Sequence, residues 1–475
     1  MIGSFGLLVE TWAHEQPEAI AIDGPRGTVT YAELKTQTMA WARWLQVGGL
    51  HAGVTVGLAV RDETQHLLMT LALLQLGVRQ VTLASQGTQP QNAYLCDRVE
   101  VTSCLTDFDF SAPGGLPTLR LPGKPPDAPT LPAYEAFSEG GIYLTGSSTT
   151  DTPKIFFTTQ SFLAMQALRG FGDYRGERVY RSASVELSSA KRIRLYTLYL
   201  GGTSVLKMDK DKSIHAMCHD HHVTWLELTT FNAQDCVRAS QSLGPLPEHT
   251  KVRIGGARVP TELRINFINK VCPRLHISYA ANEIGGITFC TPDKVTDERE
   301  SVGQILPCLS LEIVDEADLP VPSGVVGHVR MKSSGMAEAY VGNVDASRHA
   351  FRNGWFYPSD MARIDQDGHL VLHGRRDDMM ILMGITIFAV DIERMLESCS
   401  QVMEAACFPM KSPVHGEIPV AAVLLYSEEE ITAADLLSLA RRALGASAPR
   451  AIFILNEFPR NSKGKVVKRQ LAKMF

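Results

Sequence analysis

A chain of 475 residues with 45% hydrophobic and 20% charged content can bury a large core, which excludes a disordered protein and favours several folded units. Its formal net charge of -5 leaves no global basic surface to gather nucleic acid or anionic membrane, so small molecules or another protein are the expected partners. The nine cysteines form no CxxC pair and read as reduced thiols, which predicts a cytoplasmic protein.

The opening MIGSFGLLVETWAHEQPEA turns acidic before any sustained apolar run and lacks a basic leader, so no signal peptide is expected. Thr30 and Glu33 in TVTYAEL fit a capping box at the start of a helix. VTVGLAV from Val54 reads as a strand, and HLLMTLALLQLG from His66 as a buried helix too short to span a bilayer. Strand and helix signals alternate in this way along most of the chain, which predicts an α/β fold with parallel sheets.

Residues 111–132 are rich in proline and glycine and read as a surface loop, because the alternating pattern resumes in GIYLT from Gly141. GSSTTDTPK follows. Thr145, Ser147, Ser148, Thr149 and Thr150 offer hydroxyls and backbone N–H groups that can wrap phosphate oxygens, with Lys154 to neutralise their charge. GxxxxGK is absent, so this is no Walker loop, and a plain polar strand-to-helix turn is the competing reading.

HAMCHDHH from His215 places His215 and His219 one helical turn apart, a spacing that suits a metal. The segment leads into the strand signal VTWLEL, so its histidines are assigned to a helix end instead. ARIDQDGHLVLHG from Ala362 reads as a hairpin turning at Asp367 and Gly368. A domain boundary is expected just beyond it, near Arg375 to Asp377.

Two further runs are GWFYPSDMARIDQDGHLVLHGRRDDMMILMGITIFAVDIE from Gly354 and PRNSKGKVVKRQL from Pro459. With GSSTTDTPK, GGARVP and YAANE they make the chain resemble, over nearly its whole length, the adenylate-forming superfamily: acyl- and aryl-CoA synthetases, nonribosomal adenylation domains and luciferases. The resemblance implies a large multi-subdomain N-terminal domain with parallel-rich sheets over residues 1–375. A small mobile α+β domain over 376–475 would carry the catalytic lysine.

Site roles are implied residue by residue. Gly255, Gly256 and Ala257 would line an adenine site, and Tyr279 would stack on the base. Asn282 stands where the family has a phosphate-contacting threonine, and Glu283 would hold magnesium. Asp360 would accept both ribose hydroxyls, Arg375 would reach ribose or phosphate, and Asp377 would be the hinge. Lys465 would bridge the attacking carboxylate and the α-phosphate, joined in catalysis by Lys154 and Glu283, and Gly384 would lie on a thiol tunnel.

The implied reaction is ATP-dependent carboxylate–thiol ligation through an acyl-adenylate, using ATP, Mg2+ and CoA. A carrier-protein phosphopantetheine is the alternative acceptor. A family member that binds nucleotide without adenylation is a reading from another class, prompted by Asp151, Ala280 and Asn282. Val185, Leu187, Phe231, Ala281 and Ile284 would give a partly apolar acyl pocket, which suggests an aryl or medium acyl acid. Glu186 in SVELS, similar to the SFDAS of amino-acid-activating domains, keeps an amino acid open.

Overall fold

The computed structural model describes residues 5–85, 87–124, 139–146, 153–170, 174–208, 212–296, 300–382, 385–412, 416–426, 431–461 and 464–475. Its chain is α/β, as the alternation predicts. The expected capping box is present: Thr30 accepts from the Glu33 N–H (3.2 Å), and the Glu33 carboxylate accepts from the Thr30 N–H (2.8 Å), opening the helix Tyr31–Val47. The apolar run expected as a buried helix forms Glu63–Gln75, capped by Asp62 and buried continuously from Thr64 to Leu74. Each of its fully buried leucines contributes about 1.5–3 kcal/mol through removal from water.

Two parallel-rich sheets make up most of the N-terminal lobe. One has six strands in the order Thr118–Arg120, Ser103–Thr106, Thr55–Ala59, Arg79–Thr82, Gly141–Thr145 and Ile155–Thr159, all parallel neighbours except the last pair. The other has nine strands, with a parallel centre running from Ile20–Gly24 to Leu275–Ala281 and antiparallel strands at both edges. Part of the proline-rich loop thus becomes a short edge strand, Thr118–Arg120, and residues 125–132 of it lie outside the described residues. A third, antiparallel sheet contains the expected hairpin, Asp360–Ile364 paired with Leu370–Arg375, with Gly368 at φ 80° in its turn.

One large apolar core runs from Val9 to Leu370. Beyond it, residues from Met380 onwards build separate cores around the sheet Val402–Ser412, Gly416–Leu425 and Ala451–Ile454 and the helix Ala389–Glu397. No helix among the described residues is long and apolar enough to cross a membrane.

Candidate active site

The strand Gly141–Thr145 of the six-stranded sheet and the strand Leu275–Ala281 of the nine-stranded sheet end beside one another, and α/β sheets collect ligands at such carboxyl ends. Asn282 Nδ2 donates to Thr145 O across the junction (3.3 Å). GSSTTDTPK is not a strand-to-helix turn: it links two antiparallel strands in which Thr145 faces Ile155, and Gly146 N donates to Lys154 O (2.8 Å). Thr145 is held from below by Ser188, which accepts its N–H at 3.0 Å and lies 3.2 Å from its hydroxyl. Ser147, Ser148, Thr149 and Thr150 lie outside the described residues, as does Gly384.

The turn Asn282–Ile284 carries Glu283 between two antiparallel strands, and each of its three carbonyls accepts a bond from a distant element. Arg192 donates to Asn282 O (2.8 Å) and to its side-chain Oδ1 (2.6 Å). Ala337 N donates to Glu283 O (2.7 Å), and Arg169 donates to Ile284 O. Gln166 completes the bracket, accepting from Tyr196 (2.6 Å) and Arg192 (3.4 Å). Glu283 Oε1 accepts from the Tyr340 hydroxyl (2.9 Å), and a Cβ placed on Gly146 would lie 3.1 Å from the same oxygen. Burial, then the Glu283 charge, push the Tyr340 phenol up. Lys154 Nζ sits 5.0 Å from the centre of the Tyr340 ring, close enough for cation–π attraction.

A second group lies next to it. Asp360 opens its strand opposite Arg375, whose Nη1 is 3.7 Å from Asp360 Oδ1, and the Tyr279 hydroxyl donates to Asp360 Oδ2. Burial raises the Asp360 carboxyl, and Arg375, Tyr279 and Lys465 pull it back without cancelling the rise. Ser359, immediately before it, has φ 66°, a conformation uncommon for a residue with a side chain and frequent at functional sites.

Lys465 reaches this group from the C-terminal lobe. Its loop is a tight turn: Lys465 N donates to Asn461 Oδ1 (3.1 Å), Asn461 N to Lys465 O (3.0 Å), and Arg460 pairs with Glu404 while donating to Gly464 O (3.1 Å). Gly464 has φ 76°, and a Cβ there would lie 3.1 Å from Phe231 Cβ, so both its conformation and its approach demand glycine. The Lys465 residue remains water-accessible, yet enough protein surrounds its ammonium that desolvation lowers its pKa, with Asp360 opposing and Arg375 adding to the fall. Lys465 thus stands at the protein surface with its charge within the influence of Asp360 and Arg375.

The remaining expected residues are placed as follows. Gly255 ends its strand where a Cβ would meet Ser278 Oγ at 2.8 Å, and Gly256 follows at φ 92°, with Ala257 next. Val185 and Ile284 are fully buried, Leu187 and Ala281 are half-buried, and Phe231 is exposed against the Lys465 loop. Asp377 lies in a short helical turn directly after Arg375, 3.7 Å from it.

The histidine segment gathers no ligand set. His215 pairs with Ser240 (2.9 Å), Cys218 is buried, His219 is exposed beside Asp220, and His221 lies 3.2 Å from Asp23. Among the described residues, Asp365, Asp367 and His369 form the one metal-like group, and there Asp365 Oδ1 accepts the backbone N–H groups of the other two, as in a turn.

Sequence reasoning missed Arg192, Arg169, Gln166, Ser188 and Tyr340. One signal was available: the helix Ser188–Tyr199 carries Lys191, Arg192 and Arg194 within an otherwise apolar run, and all three are buried. Charges in such a place need partners, and those of Arg192 lie on the Glu283 turn.

The model of the AMP-binding enzyme family matches residues 9–136 and 143–341, and that of the AMP-binding enzyme C-terminal domain matches 391–465. The chain belongs to the AMP-binding enzyme family, within the adenylate-forming superfamily. Among its relatives is a 2-succinylbenzoate–CoA ligase of Bacillus cereus (strain ZK / E33L), 24% identical over 480 residues and covering 96% of each chain. Similar solved structures include the anthranilate CoA ligase AuaEII in complex with anthranoyl-AMP (TM-score 0.88, 18% identity, 99% and 97% of the two chains). Another is the O-succinylbenzoate coenzyme A synthetase MenE of Bacillus subtilis in complex with ATP and magnesium ion (TM-score 0.86, 21% identity, 98% of each chain).

Proposed function

We propose that this chain is an AMP-forming acid–thiol ligase, which activates a carboxylic acid with ATP and transfers the acyl group to CoA. A carboxylate oxygen attacks the α-phosphorus in line, pyrophosphate leaves, and an acyl-adenylate forms. A thiol then attacks the acyl carbonyl, AMP departs, and a thioester remains. Position and charge neutralisation supply most of the acceleration in such phosphoryl chemistry.

The single observation that best supports the reading is the approach of Lys465, from the far end of the chain, to Asp360 and Arg375. In the first step its ammonium would meet the negative charge that grows between carboxylate and α-phosphate. Asp360 would accept the ribose hydroxyls, and Lys154 would face the phosphates. Glu283 offers one partly exposed carboxylate oriented by Tyr340, a donor set that suits Mg2+, which takes few protein carboxylates and completes its shell with phosphate and water. When bound it would neutralise polyphosphate charge. Asp377 is our proposed hinge, between units 1–375 and 376–475.

The acid we favour is aryl or medium acyl, with Leu187 and Ala281 as the partly exposed members of the apolar set. Glu186 would have to bind the ammonium of an amino-acid substrate, but its Oε1 already accepts the Ser85 N–H (3.1 Å) and Lys191 shares its field. Acid-dependent pyrophosphate release across aryl, acyl and amino acids tests the class, and CoA against holo-carrier protein as acceptor tests the thiol. ATP binding without pyrophosphate release for any acid would overturn the reading.

Arg192→Ala is expected to lower adenylation by about 10- to 100-fold, the usual loss when a residue orienting a metal ligand is removed. Arg192 holds Asn282, the residue before Glu283, so loosening that turn should also raise the Mg2+ concentration giving half-maximal pyrophosphate exchange. A magnesium titration at saturating ATP checks this.

A further inference from the structure

A compact group of charges joins the two lobes. Arg258, the residue after the Gly255–Ala257 loop, donates from Nε and Nη2 to both carboxylate oxygens of Glu300 (2.7 Å each) and from Nη1 to Glu397. Glu397 lies on the helix Ala389–Glu397, in the C-terminal lobe. The same helix sends Arg394 back across the interface, where Nε donates to Glu300 Oε2 (2.9 Å) and Nη2 to Leu372 O (2.9 Å).

Both acids are more than nine-tenths buried, and each is also tied to its own lobe. Glu300 accepts from Thr261 N (3.1 Å), and its segment is fixed by the buried Arg264, which donates to Ser301 O (2.9 Å) and Val259 O (2.8 Å). Glu397 Oε1 accepts from Ala405 N (3.0 Å). The cross-lobe pairs therefore connect two stiff frames. The helix also reaches the catalytic loop: Glu393 accepts from Lys468 (2.7 Å), three residues beyond Lys465, and from Cys407 N (2.9 Å).

We infer that Arg258 is a positioning residue, whose bridge to Glu397, with that of Arg394 to Glu300, latches the small lobe in the pose that presents Lys465 to the nucleotide. This rests on the two-step function proposed above. Rotation at Asp377 into a thiol-transfer pose would separate these pairs, so the latch favours the first half-reaction alone. Parting a buried, hydrogen-bonded charge pair is costly because it leaves each charge uncompensated; Arg258 and Glu300, both on the large lobe, stay paired in either pose, whereas Glu397 and Arg394 keep their partners only in the latched one.

Arg258→Met keeps the aliphatic stem and removes the charge. It is expected to slow acid-dependent pyrophosphate exchange by about tenfold or more, within the usual range of coupling between two states, while thioester formation from supplied acyl-adenylate keeps the wild-type rate. Arg258 neighbours the proposed adenine loop, so Glu397→Gln, made on the opposite lobe, is the control. It should give the same split between half-reactions with the ATP KM unchanged. Equal losses in both half-reactions, or a Glu397→Gln enzyme with the wild-type ratio, would overturn the latch while leaving the ligase reading intact. A wild-type enzyme silent with every acid would remove the functional reading, and this assignment with it.

Discussion

Lys465→Ala is expected to depress acyl-adenylate formation by about 10²- to 10³-fold, the loss typical of removing one preorganised donor from a site of developing charge. Thiol transfer from a supplied acyl-adenylate should proceed at the wild-type rate. The selectivity follows from where the side chain sits. Its loop is closed by Asn461 and by the Arg460–Glu404 pair rather than by the lysine ammonium, so truncation beyond Cβ leaves the loop's own bonds in place. A water-accessible side chain removed in this way shifts stability by no more than about 0.5 kcal/mol, and any large effect is then chemical. Pyrophosphate exchange and single-turnover thioester formation measure the two steps separately. An equal fall in both would contradict the assignment of Lys465 to the first.

Much of this molecule was legible in its sequence because the decisive signals were local. The Thr30–Glu33 box, the continuous apolar run of Glu63–Gln75 and the Asp367–Gly368 turn each act within a few residues, and each forms where expected. Ordered motifs also singled out Asp360, Tyr279, Arg375 and Lys465, which the fold brings into one neighbourhood. What escaped was set by sheet topology. Arg192 and Asn282 are 90 residues apart, Tyr340 and Glu283 are 57 apart, and Arg258 and Glu397 are 139 apart. Nothing periodic links such pairs; they meet because the strands before them end side by side, or because one lobe folds over another. The segment after Thr145 shows the same limit at short range. GSSTTDTPK suits a turn into a helix as well as a turn into a strand, and the pairing of Thr145 with Ile155 resolves it.

Asp360→Ala is the substitution expected to affect both half-reactions, because AMP remains bound through each. The two charge-assisted hydrogen bonds proposed between Asp360 and ribose, at about 1.5–3 kcal/mol apiece, correspond to a rise in the ATP KM of roughly 10²- to 10⁴-fold. The milder Asp360→Asn separates binding from electrostatics through the pH profile of kcat/KM for ATP, which reports the free enzyme. In the wild type, burial raises Asp360 and lowers Lys465. As pH falls, the carboxylate is therefore lost earlier than an ordinary aspartate would be; as pH rises, the ammonium is lost earlier than an ordinary lysine would be. The active window should be narrowed from both sides. The Asp360 charge opposes the fall at Lys465 and the Arg375 charge deepens it. Asp360→Asn should accordingly abolish the acid limb and move the alkaline limb to lower pH, whereas Arg375→Met should move the alkaline limb upward. Opposite shifts from two neighbouring substitutions would identify Lys465 as the titrating group, since a general loss of nucleotide affinity would lower the profile without displacing its limbs.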